Sequence, residues 1–196
     1  MKSFAPLVLL LALPVVALAI TEPKTETEYP DTLVLATAAG DVTLEATGVA
    51  LREKTFMKVD VYTIVSYVVA GTDLGDEPHE MLRTVDVPKR IQMDLRRGFS
   101  REKLVNSFSE VIAKNYDDMS PIQADMDLFL AYFDRDAQEN DVLVFDYEPG
   151  VGLTTTLNGE TKGTIENAAF AEALWTVWFG KKPANKGLRK ALSGAE

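Results

Sequence analysis

Between Arg90 and Arg96 the apolar residues Ile91, Met93 and Leu95 take every second position, with Gln92, Asp94 and Arg96 between them. Side chains alternate across a strand, so this run predicts a half-buried strand whose apolar face meets a core. Upstream, Leu33-Val-Leu35 and Val42-Thr-Leu-Glu45 predict a first hairpin around the turn residues Gly40-Asp41, and Val49–Arg52 a third short strand. Phe56–Val69 is the longest β-rich run, dense in Val, Ile, Tyr and Thr. It is apolar on both sides, which predicts a strand crossing the middle of a sheet. Val142–Tyr147 and Leu153–Leu157 are strands separated by Glu148-Pro-Gly150. The second runs into Asn158-Gly159, the strongest short hairpin signal in the chain, with Lys162–Ile165 beyond it.

The spacing changes to a helical one in four places. Pro78 opens a short helix through Leu82. Ser100 reads as an N-cap, with Phe99 and Leu104 placed as a hydrophobic staple and Leu104, Phe108, Val111 and Ile112 as the buried face. Ser120-Pro-Ile-Gln123 reads as a second capped start, a capping box, ahead of the stripe Met126, Phe129, Leu130 and Phe133. Ala168–Phe179 is an aromatic helix ending at Gly180, with Pro183 beyond; Trp175 and Trp178 share a face with Leu174 and Phe170, and core packing is the first reading of them. Strands first, helices in the middle, then a hairpin and helices again predict an α+β domain with an antiparallel sheet, one face covered by helices.

Composition sets the address and excludes much chemistry. Lys2, the apolar run Phe4–Val16 and Ala17-Leu-Ala19 have the layout of a cleaved secretory signal over residues 1–19, with export to the periplasm or beyond as the expectation. Residues 20–30, polar and ending in Pro30, are expected to be a loose leader, and residues 31–196 one domain. Removing the signal moves the net charge from −10 to −11, because Lys2 is its one charged residue. Such acidity argues against nucleic acid or an anionic membrane as partner. The chain has no cysteine and one histidine, His79, so it has no disulfide staple, no thiol nucleophile and no His-rich metal site. Asp134–Asp141 is acidic but lacks the glycine and the closing glutamate of an EF-hand, and reads as a solvated turn. Lys181, Lys182, Lys186, Arg189 and Lys190 gather near the C-terminus, where they suit helix C-termini or, alternatively, a phosphate or lipid headgroup. No metal or cofactor is expected.

Several pieces, in order, resemble the chalcone-isomerase-like family and in particular its exported bacterial branch. They are Gly48-Val-Ala-Leu-Arg52, Phe56-Met-Lys58, Tyr62 with Tyr67, Met93-Asp-Leu-Arg96 running into Phe99–Leu104, then Tyr147-Glu-Pro-Gly150, Leu157-Asn-Gly159, Gly163-Thr-Ile165, Phe170, Leu174, Trp178-Phe-Gly180 and Pro183. The resemblance spans the mature region and implies an open-faced β-sandwich: a large antiparallel sheet backed by helices, with an apolar cleft between them. Its members include enzymes that cyclise chalcones, fatty-acid-binding proteins without that activity, and bacterial proteins of unassigned role, so the fold leaves function open.

The resemblance also implies that Arg52 projects into the cleft to meet an acidic ligand group, where a guanidinium can grip a carboxylate bidentately. The alternative is a strand-end Arg paired to a surface acid. Tyr62 and Tyr67 lie on opposite faces of a regular strand; Tyr62, on the face of Lys58 and Ser66, is the choice for the cleft, and Tyr67 for the core. Arg96, beside Arg97 at a strand end, is the candidate for the cleft mouth, against a solvated reading. Thr63 or Asp60 align poorly with a cleft threonine of the enzymes. The enzymes' helix tyrosine falls at Leu104 here and their asparagine at Val111, which removes donors to a developing enolate. The expectation is therefore a monomeric, non-catalytic protein binding a small hydrophobic or amphipathic acid such as a fatty acid, with no catalytic residue assigned. The alternatives are an isomerase of the chalcone-to-flavanone type and a periplasmic scaffold.

Overall fold

A computed structural model describes residues 18–54 and 59–194. The expected signal, apart from Leu18 and Ala19, lies outside the described residues, as does Phe56-Met57-Lys58. Among the described residues nine strands and five helices follow one another as β1 (Ala19–Glu22), β2 (Thr27–Pro30), β3 (Thr32–Thr37), β4 (Gly40–Lys54), β5 (Val59–Val69), α1 (Pro78–Thr84), β6 (Lys89–Leu95), α2 (Arg101–Ala113), α3 (Gln123–Ala131), β7 (Val142–Glu148), β8 (Gly152–Leu157), β9 (Glu160–Ile165), α4 (Ala168–Phe179) and α5 (Lys186–Leu192). Strands β3 to β9 form one antiparallel sheet in sequence order, with the helices against one face. The α+β open-faced sandwich is what the structure has.

The residues that make these elements are mostly the ones the pattern singles out. Ile91, Met93 and Leu95 are buried. Asn158 and Gly159 take φ of 51° and 80°, the left-handed pair that a tight hairpin requires. Ser100 caps α2 by accepting from the Lys103 amide. Helix α4 carries nine buried residues and is apolar nearly all round, as a helix enclosed between sheet and neighbouring helices must be. Phe108 of α2 is the hub of the core: it stacks on Phe133 and meets Phe129, Phe145 and Trp178 edge-on, at centroid distances of 5.3–6.4 Å.

Four expectations are corrected. Residues 20–30 are not a loose leader: β1 and β2 pair as a hairpin that packs on the outer face of the sheet. Tyr29 is buried there, its hydroxyl donating to the Asp94 carboxylate and accepting from the Thr63 hydroxyl at 2.7 Å, and Tyr67 donates to the Pro30 carbonyl at 3.0 Å. This second apolar cluster, with Leu44 and Val65, explains why every residue of β5 from Tyr62 to Val68 is buried. The third short strand is not separate, because β4 runs on through a bulge at Thr47, opposite Ser66 and Tyr67. The capping box at Ser120 does not form. The Asp118 carboxylate takes both the Ser120 amide and hydroxyl, each at 2.9 Å, and α3 starts without a side-chain cap. Lastly, the turn 134–141 is not wholly solvated. Asp141 is buried, held by Arg135 at 2.8 and 3.0 Å, by the Gln138 amide and by Asn158, which keeps its carboxyl down at about 2.

Candidate functional site

The bulge at Thr47 decides the site. Before it, Leu44 and Ala46 pair with Val69 and Tyr67 and join the outer cluster under the hairpin. After it, Gly48, Ala50 and Arg52 pair with Ser66, Ile64 and Tyr62 on the helix side. In an unbroken strand all these even-numbered residues would share one face. One extra residue therefore turns Arg52 inward, a use of bulges common near functional sites. Thr47 itself donates to the Leu192 carbonyl at 2.7 Å, which anchors α5 across the bulge. Gly48 allows that approach, since a Cβ there would lie 2.0 Å from the Ala191 carbonyl oxygen.

Arg52 and Tyr62, directly opposite each other on β4 and β5, line a cleft of about 480 Å³ between the sheet end, α2 and the loop after α4. That size suits a small-molecule ligand, for which sites run to about 300–1,000 Å³. A second register shift after Arg52 leaves Val61 unpaired, and Val61 joins Tyr62 in the lining. The floor and walls are Met93, Leu95, Phe99, Leu104, Phe108, Val111 and Trp178. The Arg52 guanidinium donates to the Ala184 carbonyl at 3.1 Å. That carbonyl belongs to a loop fixed by Asn115, whose amide bonds the Lys182 carbonyl at 3.1 Å and accepts the Lys182 amide at 2.9 Å. Asn115 holds the wall and was not singled out by the sequence; one polar residue past a helix end gives no pattern to read.

Burial pushes the Tyr62 hydroxyl above its ordinary pKa, a shift opposed by the Arg52 charge and the Trp178 indole N–H beside it. Tyr62 therefore enters the cleft as a neutral donor at physiological pH. The basic residues Arg52, Lys54, Lys103, Lys114 and Lys182 line the site against two acids, Glu53 and Glu110. Glu53 is paired to Lys24 from the hairpin, and Glu110 is 4.0 Å from Lys114. An acidic protein thus keeps a cationic cleft, which draws anions by electrostatic focusing.

Arg96 is corrected: it is not part of this lining. It follows Leu95 and so faces the other side of the sheet, where it donates to Thr27 of the hairpin at 2.8 Å. Thr63 lies on that outer face too, its hydroxyl donating to Tyr29. Tyr67 is in the outer core. Leu104 and Val111 both line the cleft, and the one hydroxyl that α2 brings there, Ser107, is bonded to the Leu104 carbonyl at 2.7 Å. No group of His, Asp or Glu arranged to hold a metal occurs among the described residues.

An antiparallel sheet backed by helices, with an arginine turned into an apolar cleft at one end, defines the class: an open-faced β-sandwich with a cleft between sheet and helices. The chain belongs to the chalcone isomerase-like family, whose model matches residues 26–194. Among solved structures it is similar in fold to a fatty-acid binding protein of Arabidopsis thaliana, with a TM-score of 0.71 and 18% identity over 89% of this chain and 95% of that one. No curated protein sequence matches.

Proposed function

We propose that this protein is an exported, monomeric member of the family's bacterial branch that binds a small amphipathic acid, such as a fatty acid, in the periplasm or outside the cell. One observation carries the reading: Arg52 is turned by a bulge into a 480 Å³ apolar cleft, opposite the neutral hydroxyl of Tyr62. The chain's apolar tail would lie against Phe99, Leu104, Phe108 and Val111, and its carboxylate against Arg52. The similarity in fold to a fatty-acid binding protein agrees with this. Export rests on the signal-like residues 1–19. Among the described residues no helix is long and apolar enough to cross a membrane.

Catalysis of chalcone cyclisation is disfavoured by Leu104 and Val111, which offer no donor to a developing oxyanion. The test is native mass spectrometry on protein purified from its own source, with and without solvent extraction. An acid of defined chain length released in stoichiometric amount supports the reading. A cleft that stays empty and takes up no added fatty acid refutes it.

A further inference from the structure

Behind one wall of the cleft lies a second, much smaller space. It is a gap of about 10 Å³ among Phe133, Arg135, Ala137, Asp141, Leu143 and Leu157. Leu95 and Leu104 are the two residues that line both the cleft and the gap, so their side chains form the partition. The gap has room for no more than one water-sized group.

The two spaces follow one line across the sheet. Arg52 pairs with Tyr62 and Tyr62 with Leu95, so the cleft runs from β4 to β6 at right angles to the strands. Neighbouring strands lie ~4.8 Å apart, which sets the backbone of Leu95 roughly 10 Å from that of Arg52. Leu143 of β7, paired with Leu157 of β8, carries the line on into the gap, and the ion pair of Arg135 with the buried Asp141 ends it. The partition is held from both sides. Leu104 is buried in the first turn of α2, where its amide donates to the Ser100 carbonyl at 3.1 Å. Beside it, Phe99 of the cleft donates its amide to the carbonyl of Ala137 of the gap at 2.9 Å.

We propose that Leu104 is the chain-length stop of the cleft, a specificity-determining residue that ends the space for an alkyl tail at β6. An acid whose tail reaches Leu104 is fully covered. A longer one has to turn back to the mouth with its last methylenes in water, where they add nothing to binding. Shortening Leu104 joins cleft and gap into one channel that runs on toward β8, as far as the charges of Arg135 and Asp141, beside which an apolar tail gains nothing. This inference rests on the ligand reading above and adds which acids the site takes and the residue that sets the limit.

Straight-chain saturated acids from octanoic to hexadecanoic are to be titrated calorimetrically into the wild type, Leu104→Ala, and Leu104→Ala combined with Leu157→Phe. Wild-type affinity is expected to rise about fourfold with each methylene buried and then to level off. In Leu104→Ala the levelling point moves to acids about two to three methylenes longer, in line with the side-chain carbons removed. Adding Leu157→Phe, which refills the gap, brings it back. If Leu104→Ala fails to fold, Leu104→Val moves the levelling point by about one methylene. A tail that leaves through the mouth also levels off, but at a length the Leu104 substitutions do not change. A levelling point shared by wild type and Leu104 variants, a series that never levels, or a shift that Leu157→Phe does not reverse overturns this inference alone. No acid binding to the wild type overturns the ligand reading as well.

Discussion

Gly48 and Gly163 stand at the two ends of one row that crosses the sheet through Ser66, Ile91, Phe145 and Thr155. Each end admits a neighbour a side chain would exclude, but the neighbours differ. A Cβ at Gly48 meets the backbone of α5, 2.0 Å from the Ala191 oxygen, whereas one at Gly163 meets the Tyr132 side chain, 2.4 Å from its hydroxyl oxygen and 2.5 Å from the ring. Backbone in a docked helix cannot step aside as a half-buried ring can. Gly48→Ala is therefore expected to destabilise at the upper end of the ~1–3 kcal/mol typical of overpacking, and Gly163→Ala at the lower end. Urea denaturation checks the order, and equal losses would contradict it. At this scale the sequence tells part of the story. Tyr62 and Tyr67 could be set on opposite faces by counting alone. Arg96 could have been too: Ile91, Met93 and Leu95 face the core, so the next residue faces away, and the same alternation that found the strand argued against Arg96 as a cleft residue.

Among the elements, β4 is where local pattern and final structure part. Counting by twos from Leu44 would place Arg52 beneath the hairpin, and Gly48 inside the strand is the one local sign of a bulge in Ala46-Thr-Gly48. α5 docks on it through a contact across 145 residues between Thr47 and Leu192. The same distance effect hid the β1–β2 hairpin, since Thr21–Pro30 is polar and gains its place only when Tyr29 meets Thr63 and Asp94. Hairpins with their own turn chemistry, such as Asn158-Gly159, were legible because the cause is local. Deleting Thr47 forces either Leu44 or Arg52 onto the wrong face. The expected loss is about 2–5 kcal/mol, comparable to removing a buried leucine. Thr47→Ala keeps the bulge and is expected to lose about 1 kcal/mol for one hydrogen bond. Chemical denaturation of both variants decides it; a deletion as mild as the substitution would show that the bulge does not set the facing.

For the whole molecule, stability depends on packing and on a few buried polar anchors, with no disulfide to help. Asp141 is the acid-sensitive one. Its folded pKa of about 2 lies below the ordinary 3.8, so its contribution is fully present above the unfolded value and is lost as pH falls through the folded one. Allowing for the partial exposure of Arg135, that contribution is on the order of 1–2 kcal/mol. Between about pH 4 and pH 2 the midpoint of thermal unfolding is expected to fall, and to fall less steeply in Asp141→Asn; parallel slopes would rule Asp141 out as the anchor. The family and its fold were legible in the order of short motifs along the chain, whereas the cleft's cationic lining was not, because Lys103, Lys114 and Lys182 are brought together only by α2 and the loop after α4. The claim that this cleft holds an acid is tested most directly by thermal unfolding with and without a saturated fatty acid in the wild type and in Arg52→Gln. Ligand at a hundredfold excess over its dissociation constant adds about 2.7 kcal/mol to the folded state. The wild-type midpoint should then rise by roughly 5–10 °C, taking about 2–4 °C per kcal/mol for a domain of this size, while the Arg52→Gln midpoint rises much less. No rise in the wild type, or an equal rise in both proteins, would contradict the account.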